Sequence, residues 1–174
     1  NLKVVTGKEQ ASFNSQSSRV VTLFGESHAK FWNITLETLR KIVPAEAFAP
    51  TEAKIQSFAA GTGTVLFYED QSVIKSLQEN FALYADNFPV WSEHSTAIAQ
   101  FAVWTALAEQ NIGASLQHYN PIVDAEVATT FFGILAKTCL PIFCSILFIN
   151  SSSFFALYLL IIIRTERFGK NLQT

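Results

Sequence analysis

The sequence predicts an α+β domain that is followed by a segment of different character. Over the first 130 residues, β-branched segments alternate with segments of helical apolar spacing, and these residues carry 8 basic and 13 acidic side chains. From Thr138 to Ile163, in contrast, 26 consecutive residues carry no charge. We therefore divide the chain into a divergent N-terminal segment (1–10), a domain (11–130), an apolar tail (131–163) and a basic polar end (164–174).

The domain begins with a predicted strand and a predicted helix. The segment Arg19–Phe24 is rich in β-branched residues and ends at Gly25, which predicts a strand. The segment His28–Val43 carries apolar side chains three and four residues apart, which is typical of one face of an amphipathic helix. Pro44 ends this helix, because proline disfavours helical backbone at the residue before it.

A second helix and a second strand are predicted next. The helix begins near Pro50 with Thr51 as its N-cap and runs to about Ala60. Gly61 is expected to take the left-handed conformation that ends many helices. The apolar segment Thr64–Tyr68 then predicts a buried strand.

Two more helices and one more strand complete the predicted domain. A short helix is expected at Ser72–Glu79, the longest helix at Ser92–Gln110 and a third strand at Ala114–His118. Only three strands are visible, which is few for a sheet covered by helices. One side of the longest helix is marked by Ile98, Phe101, Thr105 and Leu107.

Composition restricts the function classes. A formal net charge of −2 argues against a protein that binds nucleic acid by neutralising phosphates, so no nucleic-acid partner is expected. Two cysteines and no signal-like start favour a reducing compartment, and the expected location is the cytoplasm. Cys139 and Cys144 lie in the apolar tail and are expected to be inert thiols.

No familiar catalytic or metal motif is present in the sequence. It contains neither a Gly-x-Ser-x-Gly elbow nor a phosphate-binding loop with Lys-Ser/Thr. The three histidines are scattered, and none has a partner at metal-ligand spacing, so no metal site is predicted.

Two polar segments next to strands are the candidates for chemistry. The segment Ala11–Arg19 combines hydroxyls, two amides and one guanidinium, and amides suit a ring edge that both donates and accepts hydrogen bonds. The segment Asn111–Pro121 begins its strand with Gly-Ala-Ser, where backbone can approach a flat ligand closely. The alternatives are a solvated serine-rich loop and a helix cap leading into a core strand.

Four stretches resemble the flavin-dependent nitroreductase family, and within it the fungal and bacterial branch named after a fatty-acid-repression mutant. The resemblance covers roughly residues 11 to 128 and rests on ASFNSQSSRVV, GTVLFYED, FALYADNFPVWSEHSTAIAQFAVWTAL and GASLQHYNP. It implies a sheet flanked by helices, an intertwined homodimer and FMN at the subunit interface. It further implies that NAD(P)H reduces the flavin, which then reduces a nitroaromatic or quinone-like acceptor by a ping-pong route, a role linked to the oxidative stress response.

The resemblance also assigns site residues. The flavin would carry the redox chemistry, so no side chain is expected to be catalytic in its own right. One group of residues would line the flavin and its ribityl chain: Ser12, Asn14 and Gln16. A second group would lie along the isoalloxazine ring: Leu116, Gln117, His118 and Tyr119. Arg19 would contact an anion or serve a structural role.

Two parts of the family pattern are not recognisable, so the fold is expected to be incomplete. The first helix of the family carries an arginine pair for the FMN phosphate, whereas the first ten residues here are NLKVVTGKEQ. The last strand and its basic residues are replaced by the apolar tail. An inactive relative that acts by dimerising with intact paralogues is therefore the alternative function.

The apolar tail has three interpretations. Residues 138–163 are long enough to span a membrane, and the basic residues that follow would place the C-terminus in the cytosol. The tail could instead be a buried segment of the domain, or a translated non-coding stretch. Under the first interpretation the domain would be tethered to a membrane; otherwise the expected location is the cytoplasm or the nucleus.

Overall fold

The computed structural model describes residues 2–6, 12–132 and 145–150, with side chains over residues 12–131. Its strands are β1 (Leu2–Thr6), β2 (Ser18–Phe24), β3 (Gly63–Glu69), β4 (Gly113–His118) and β5 (Ser145–Asn150). Its α-helices are α1 (Glu26–Arg40), α2 (Phe48–Ala59), α3 (Gln71–Asn80), α4 (Phe88–Ala108) and α5 (Asp124–Val127). Short 3-10 turns lie at Ser12–Asn14, Ala45–Ala47 and Ala82–Asn87, and a π turn covers Ala128–Phe132.

The five strands form one sheet in the order β1-β2-β3-β5-β4, and all neighbours are antiparallel. Ser18 pairs with Glu69, while Ser145 pairs with both Phe67 and His118. The start of β2 and the ends of β3 and β4 therefore lie at the same end of the sheet.

The described sheet contains two strands more than the sequence predicts. β1 lies in the N-terminal segment where the family's first helix was not recognisable, and β5 lies in the apolar tail. An uncharged run such as SILFIN, whose four central residues are apolar, is typical of a central strand, whose two faces are both covered, as well as of a membrane segment. Its position between β3 and β4 agrees with a buried segment.

No helix among the described residues is long and apolar enough to cross a membrane. Of the uncharged run 138–163, residues 145–150 are strand β5 and the remainder lies outside the described residues. Cys139 and Cys144 lie outside them as well.

Strands β2 and β3 are buried on both faces, which explains why they are so apolar. One face packs Val21, Leu23 and Leu66 against α1, α2 and α5. The other face packs Val20 and Phe67 against α4. Alternate residues of each strand thus serve different helical layers.

The end of α2 agrees with the prediction, but its predicted start and the predicted conformation of Gly61 were wrong. The helix begins at Phe48, after the 3-10 turn, and its N-cap residue Ala47 makes no side-chain bond. Pro50 lies inside the first turn, where its missing N–H costs no intrahelical bond, so Thr51 is not the N-cap. Gly61 does not adopt a positive φ; instead its N–H bonds to the carbonyl of Phe58 and closes the last turn.

The apolar side of α4 also differs from the prediction. Phe101 is 72% exposed and Ile98 is 60% exposed, although both were assigned to the predicted apolar side. The buried side of the helix carries small and hydroxyl residues instead, such as Ser95, Thr96 and Ala99. Small residues let a helix approach a sheet closely. Phe88 and Leu107 are buried near the two ends of the helix, whereas Ile98 and Phe101 lie on its outer face.

A directed chain of hydrogen bonds joins α1 to β3 and α2. The indole N–H of Trp32 donates to Thr64 Oγ1 over 3.0 Å, and His28 Nδ1 lies 2.9 Å from the same hydroxyl. His28 Nε2 lies 3.1 Å from the carbonyl of Ala59. The chain is complete when the Thr64 hydroxyl donates to Nδ1 and Nε2–H donates to the carbonyl, which is the neutral form of the imidazole.

We expect this histidine to make stability depend on pH. Burial lowers the pKa of His28 below its ordinary 6.5, so below pH 6.5 the unfolded state binds a proton more readily than the folded state. The contribution of neutral His28 is therefore present above pH 6.5 and is lost as the pH falls below it. His28→Gln should lower the free energy of unfolding more at pH 7.5 than at pH 5.5 in urea titrations. An equal loss at both values would contradict the argument.

Candidate functional site

Two segments singled out in the sequence lie at the same end of the sheet. The polar loop, Ser12–Ser17, enters β2, and the β4 exit, Leu116–Tyr119, ends β4. β3 and β5 lie between β2 and β4, so about 14 Å separate the two segments across three strand spacings. Gly113 pairs with Asn150 at the opposite end of the sheet, away from the polar loop. A ligand that touches both segments must therefore be extended.

The polar loop has an unusual backbone. Phe13, Asn14 and Gln16 have positive φ angles of 58°, 50° and 49°, a conformation that few residues other than glycine adopt readily. The amide of Gln16 donates to Asn14 Oδ1 over 3.1 Å. Ser12, Asn14 and Gln16 are all exposed, so the three predicted flavin contacts are accessible on one turn.

Arg19 fastens this loop to the strand beside it. Its Nη1 donates to the carbonyl of Gln16 over 2.6 Å, and its Nη2 donates to Asp70 Oδ2 over 2.9 Å. The side chains of the pair are only 19% and 16% exposed, so the ion pair is largely shielded from water. These contacts show the structural role for Arg19 that the sequence left open.

The β4 exit presents its residues to both faces of the sheet. Leu116 packs against the α4 layer, whereas Tyr119 packs edge-on against Trp32 at 6.1 Å between ring centroids. Burial raises the pKa of the Tyr119 phenol. The Gln117 amide donates to Ser115 Oγ over 2.7 Å, and His118 is exposed.

An aromatic cluster beside the polar loop was not predicted as part of the site. Phe13 contacts the rings of Phe81, Tyr84, Phe88 and Trp91 at centroid distances of 4.9 to 6.1 Å. The closely spaced aromatic residues in NFALYADNFPVW could have indicated this cluster in the sequence. The cluster connects the loop to the start of α4.

A buried carboxylate lies at the same end of the sheet. Glu69 is 1% exposed, and its Oε1 accepts hydrogen bonds from the hydroxyls of Ser18 and Thr96. These bonds join β2, β3 and α4 directly behind the polar loop. The sequence analysis did not single out Glu69, because its partners lie far along the chain.

Comparison with known proteins identifies the family. The sequence profile of the nitroreductase family matches residues 11–141. The chain belongs to the nitroreductase family. It is 33% identical over 124 residues to the putative nitroreductase HBN1 of Saccharomyces cerevisiae and 32% identical over 125 residues to nitroreductase FRM2 of the same yeast. These matches cover 71% and 70% of this chain but 61% and 60% of the relatives, so the chain spans about three fifths of their length.

Solved structures agree with this nitroreductase fold. Nitroreductase CinD from Lactococcus lactis, solved in complexes with chloramphenicol and with 4-nitrophenol, superposes with TM-scores of 0.69 and 0.68 at 43% identity. Each alignment covers 82% of this chain and 70% of CinD. A nitroreductase from S. cerevisiae superposes with a TM-score of 0.64 at 26% identity, covering 84% of this chain and 76% of that one. The α+β prediction and the FRM2-like resemblance are confirmed.

Two buried acceptors follow the β4 exit of this nitroreductase domain. Neither Asn120 Oδ1 nor Asp124 Oδ1 has a hydrogen-bond partner among the described residues. Burial raises the pKa of Asp124 to about 6, because the charged form loses its hydration. No group of three or more His, Cys, Asp or Glu residues in the described part of the chain could hold a metal ion.

We expect Asp124→Asn to stabilise the protein at neutral pH. The folded state holds the Asp124 proton up to about pH 6, whereas the unfolded state releases it near 3.8, so stability falls as the pH rises between these values. The neutral amide should recover about 1–3 kcal/mol of unfolding free energy at pH 7.5 and little at pH 4. Thermal unfolding at both pH values tests this, and Glu126→Gln, on the exposed face of the same helix, serves as control. A stabilisation equal at both values would contradict it.

Proposed function

We propose that this chain is an oxidoreductase that binds FMN and uses NAD(P)H to reduce nitroaromatic or quinone-like acceptors. Family membership supports the reaction class, and the nitroaromatic compounds bound to CinD support the class of acceptor. The observation that carries the proposal is that the polar loop and the β4 exit lie at the same end of one sheet, where an extended ligand could touch both. Its cysteine usage and weak acidity favour the cytoplasm, or the nucleus, as its location.

The residues of the polar loop fit the chemistry of a flavin. The edges of an isoalloxazine ring carry both donors and acceptors, and the amides of Asn14 and Gln16 are exposed groups that can do both. Bound FMN would supply hydride transfer, and the protein would supply binding and orientation. We propose that Ser12, Asn14 and Gln16 bind the flavin and ribityl chain, and that Leu116, Gln117, His118 and Tyr119 lie along the ring.

The phosphate of FMN also needs a cation. Arg19, the charged residue of the polar segment, is already bonded to Asp70 and Gln16. Lys3 pairs with Thr22 of β2, toward the end of the sheet opposite the polar loop, so it is not placed to serve as this cation. The phosphate of a bound FMN would therefore need a cation other than Arg19 and Lys3.

We propose that two copies of the chain form the functional unit. The outer face of α4 exposes Ile98, Phe101 and Trp104, with exposed fractions of 60%, 72% and 39%. These side chains lie three residues apart, on one stripe of the helix. Burying the stripe against a second copy would remove this apolar surface from water. A site shared by two copies would also explain why the candidate segments lie about 14 Å apart in one copy.

The second candidate function is that of an inactive relative that acts by dimerisation. It is favoured by the contacts of Arg19, which is engaged by Asp70 and Gln16 and so is not offered to a phosphate. The same α4 stripe would then pair with an intact relative. Bound flavin distinguishes the two functions, because only the enzyme requires it.

A titration of the protein with FMN tests the enzymatic proposal. We expect saturable quenching of flavin fluorescence with micromolar or tighter affinity, which corresponds to a binding free energy of about −8 kcal/mol or stronger. No saturation at 100 micromolar, weaker by more than about 2.7 kcal/mol, would favour the inactive relative. Asn14→Ala should weaken binding about tenfold, the contribution of about one strong hydrogen bond. Asn33→Ala, which removes an exposed amide from α1, is the matched control. Equal affinity of the Asn14→Ala variant and the parent would remove Asn14 from the site.

A further inference from the structure

The polar loop needs outside support for its backbone. Three of its six residues have positive φ, and one of them is the bulky Phe13. Such conformations persist only where the surrounding structure fixes them. Inside the loop, the side chains provide only two hydrogen bonds, Gln16 to Asn14 and Ser15 to Ser17. The remaining constraints must come from elsewhere in the fold.

The aromatic cluster packs around Phe13, and Asp70, directly after β3, constrains the other end of the loop. Its backbone N–H donates to the carbonyl of Ser17 over 2.9 Å, and its Oδ2 accepts from Arg19. The other oxygen, Oδ1, accepts from the backbone N–H of Ser72 and caps α3. One carboxylate therefore connects the loop, through Arg19, to a helix terminus.

Arg19 transmits this connection to the loop. The same guanidinium that pairs with Asp70 donates to the carbonyl of Gln16 over 2.6 Å. Gln16 has a positive φ, and its amide bonds to Asn14. The chain Asp70–Arg19–Gln16–Asn14 thus runs from the helix cap to both amides proposed to meet the flavin.

We propose that Arg19 and Asp70 are positioning residues of the cofactor site. They hold the backbone of Gln16, and with it the exposed amides of the loop, in the geometry that binds the flavin. Neither residue contacts the cofactor in this account. The inference rests on the proposed FMN function and explains why a guanidinium in the polar segment is shielded from solvent rather than offered to a ligand.

Two substitutions break the link at different atoms. Asp70→Asn keeps a good N-cap for α3, because asparagine caps as well as aspartate, but it removes the charge that holds Arg19. Arg19→Lys keeps the charge but loses the planar fork that reaches Asp70 and Gln16 together. Glu52→Gln is the matched control, since it removes a carboxylate from the exposed Arg40–Glu52 pair on the helical layer.

We expect each substitution to raise the dissociation constant for FMN about tenfold while the apoprotein remains folded by far-ultraviolet circular dichroism. The double variant should bind FMN about as well as the weaker-binding of the two single variants, because both changes break the same link. The visible circular dichroism of bound FMN should change in both single variants and not in Glu52→Gln, since it reports the orientation of the ring rather than the folded fraction.

Three outcomes separate the claims. A parent protein that binds FMN while Asp70→Asn and Arg19→Lys bind it equally well would overturn the positioning role alone. Weakened binding with unchanged visible circular dichroism and additive effects would overturn it as well, because the residues would then act independently. A parent protein that does not bind FMN would instead overturn the proposed function.

Discussion

Replacing Phe101 by aspartate is expected to convert the proposed dimer to a monomer and to abolish the proposed tight binding of FMN. Phe101 is the most exposed side chain of the apolar stripe on α4. A charge in the centre of a desolvated interface costs several kcal/mol, enough to shift dimerisation by about a thousandfold or more. Because the proposed site is shared between copies, the affinity for flavin should fall when dimerisation is lost. Sedimentation velocity and FMN titration measure the two effects.

Ile42→Asp provides the matched control for this prediction. Ile42 is 58% exposed and follows α1, away from the stripe. This variant should remain dimeric and bind FMN as the parent does. A parent that is monomeric at tens of micromolar, or a Phe101→Asp variant that remains dimeric, would contradict the proposed role of the α4 face.

Replacing Trp32 by alanine is expected to destabilise the fold by about 3–5 kcal/mol. Trp32 is 1% exposed and packs in the core between α1 and the sheet. Its loss leaves a large cavity and removes the N–H donor to Thr64. Trp32→Phe should cost about 1–3 kcal/mol, because it fills most of the volume but leaves the hydrogen bond unmade. Urea unfolding at pH 7.5 measures both values.

Leu83→Ala serves as the control for the core, since Leu83 is 84% exposed and makes no core contact. Its unfolding free energy should differ from the parent by less than about 0.5 kcal/mol. If Trp32→Ala and Leu83→Ala destabilised equally, the assignment of the core would be wrong.

The sequence predicted the elements whose residue type and ends are both marked by neighbouring residues. β2 and β3 were predicted within one residue at each end, because β-branched runs bounded by Gly25 or by polar residues allow few alternatives. The outer face of α4 was misassigned, because in the sequence an apolar stripe looks the same whether it packs on the sheet or lies exposed, as Ile98 and Phe101 do here. β5 was missed because an uncharged apolar run fits a central strand and a membrane segment equally well.

The segments that form the candidate site were predictable from the sequence, but the long-range contacts that hold them in place were not. Asn14 and Gln16 stood out because amides beside a strand are a local feature, and the resemblance pointed to the same residues. The contacts of Arg19 with Asp70 and of Ser18 with Glu69 each join residues 51 positions apart, so no local pattern indicates them. The positive φ of Phe13 was also unpredictable, since bulky residues seldom adopt it.

The most direct test of the account is the anaerobic visible spectrum of the FMN-loaded protein during one catalytic cycle. We predict that NADH or NADPH bleaches the band near ~450 nm and that 4-nitrophenol or a quinone then restores it. A protein that carries FMN but whose spectrum neither nicotinamide changes would contradict the proposed reaction.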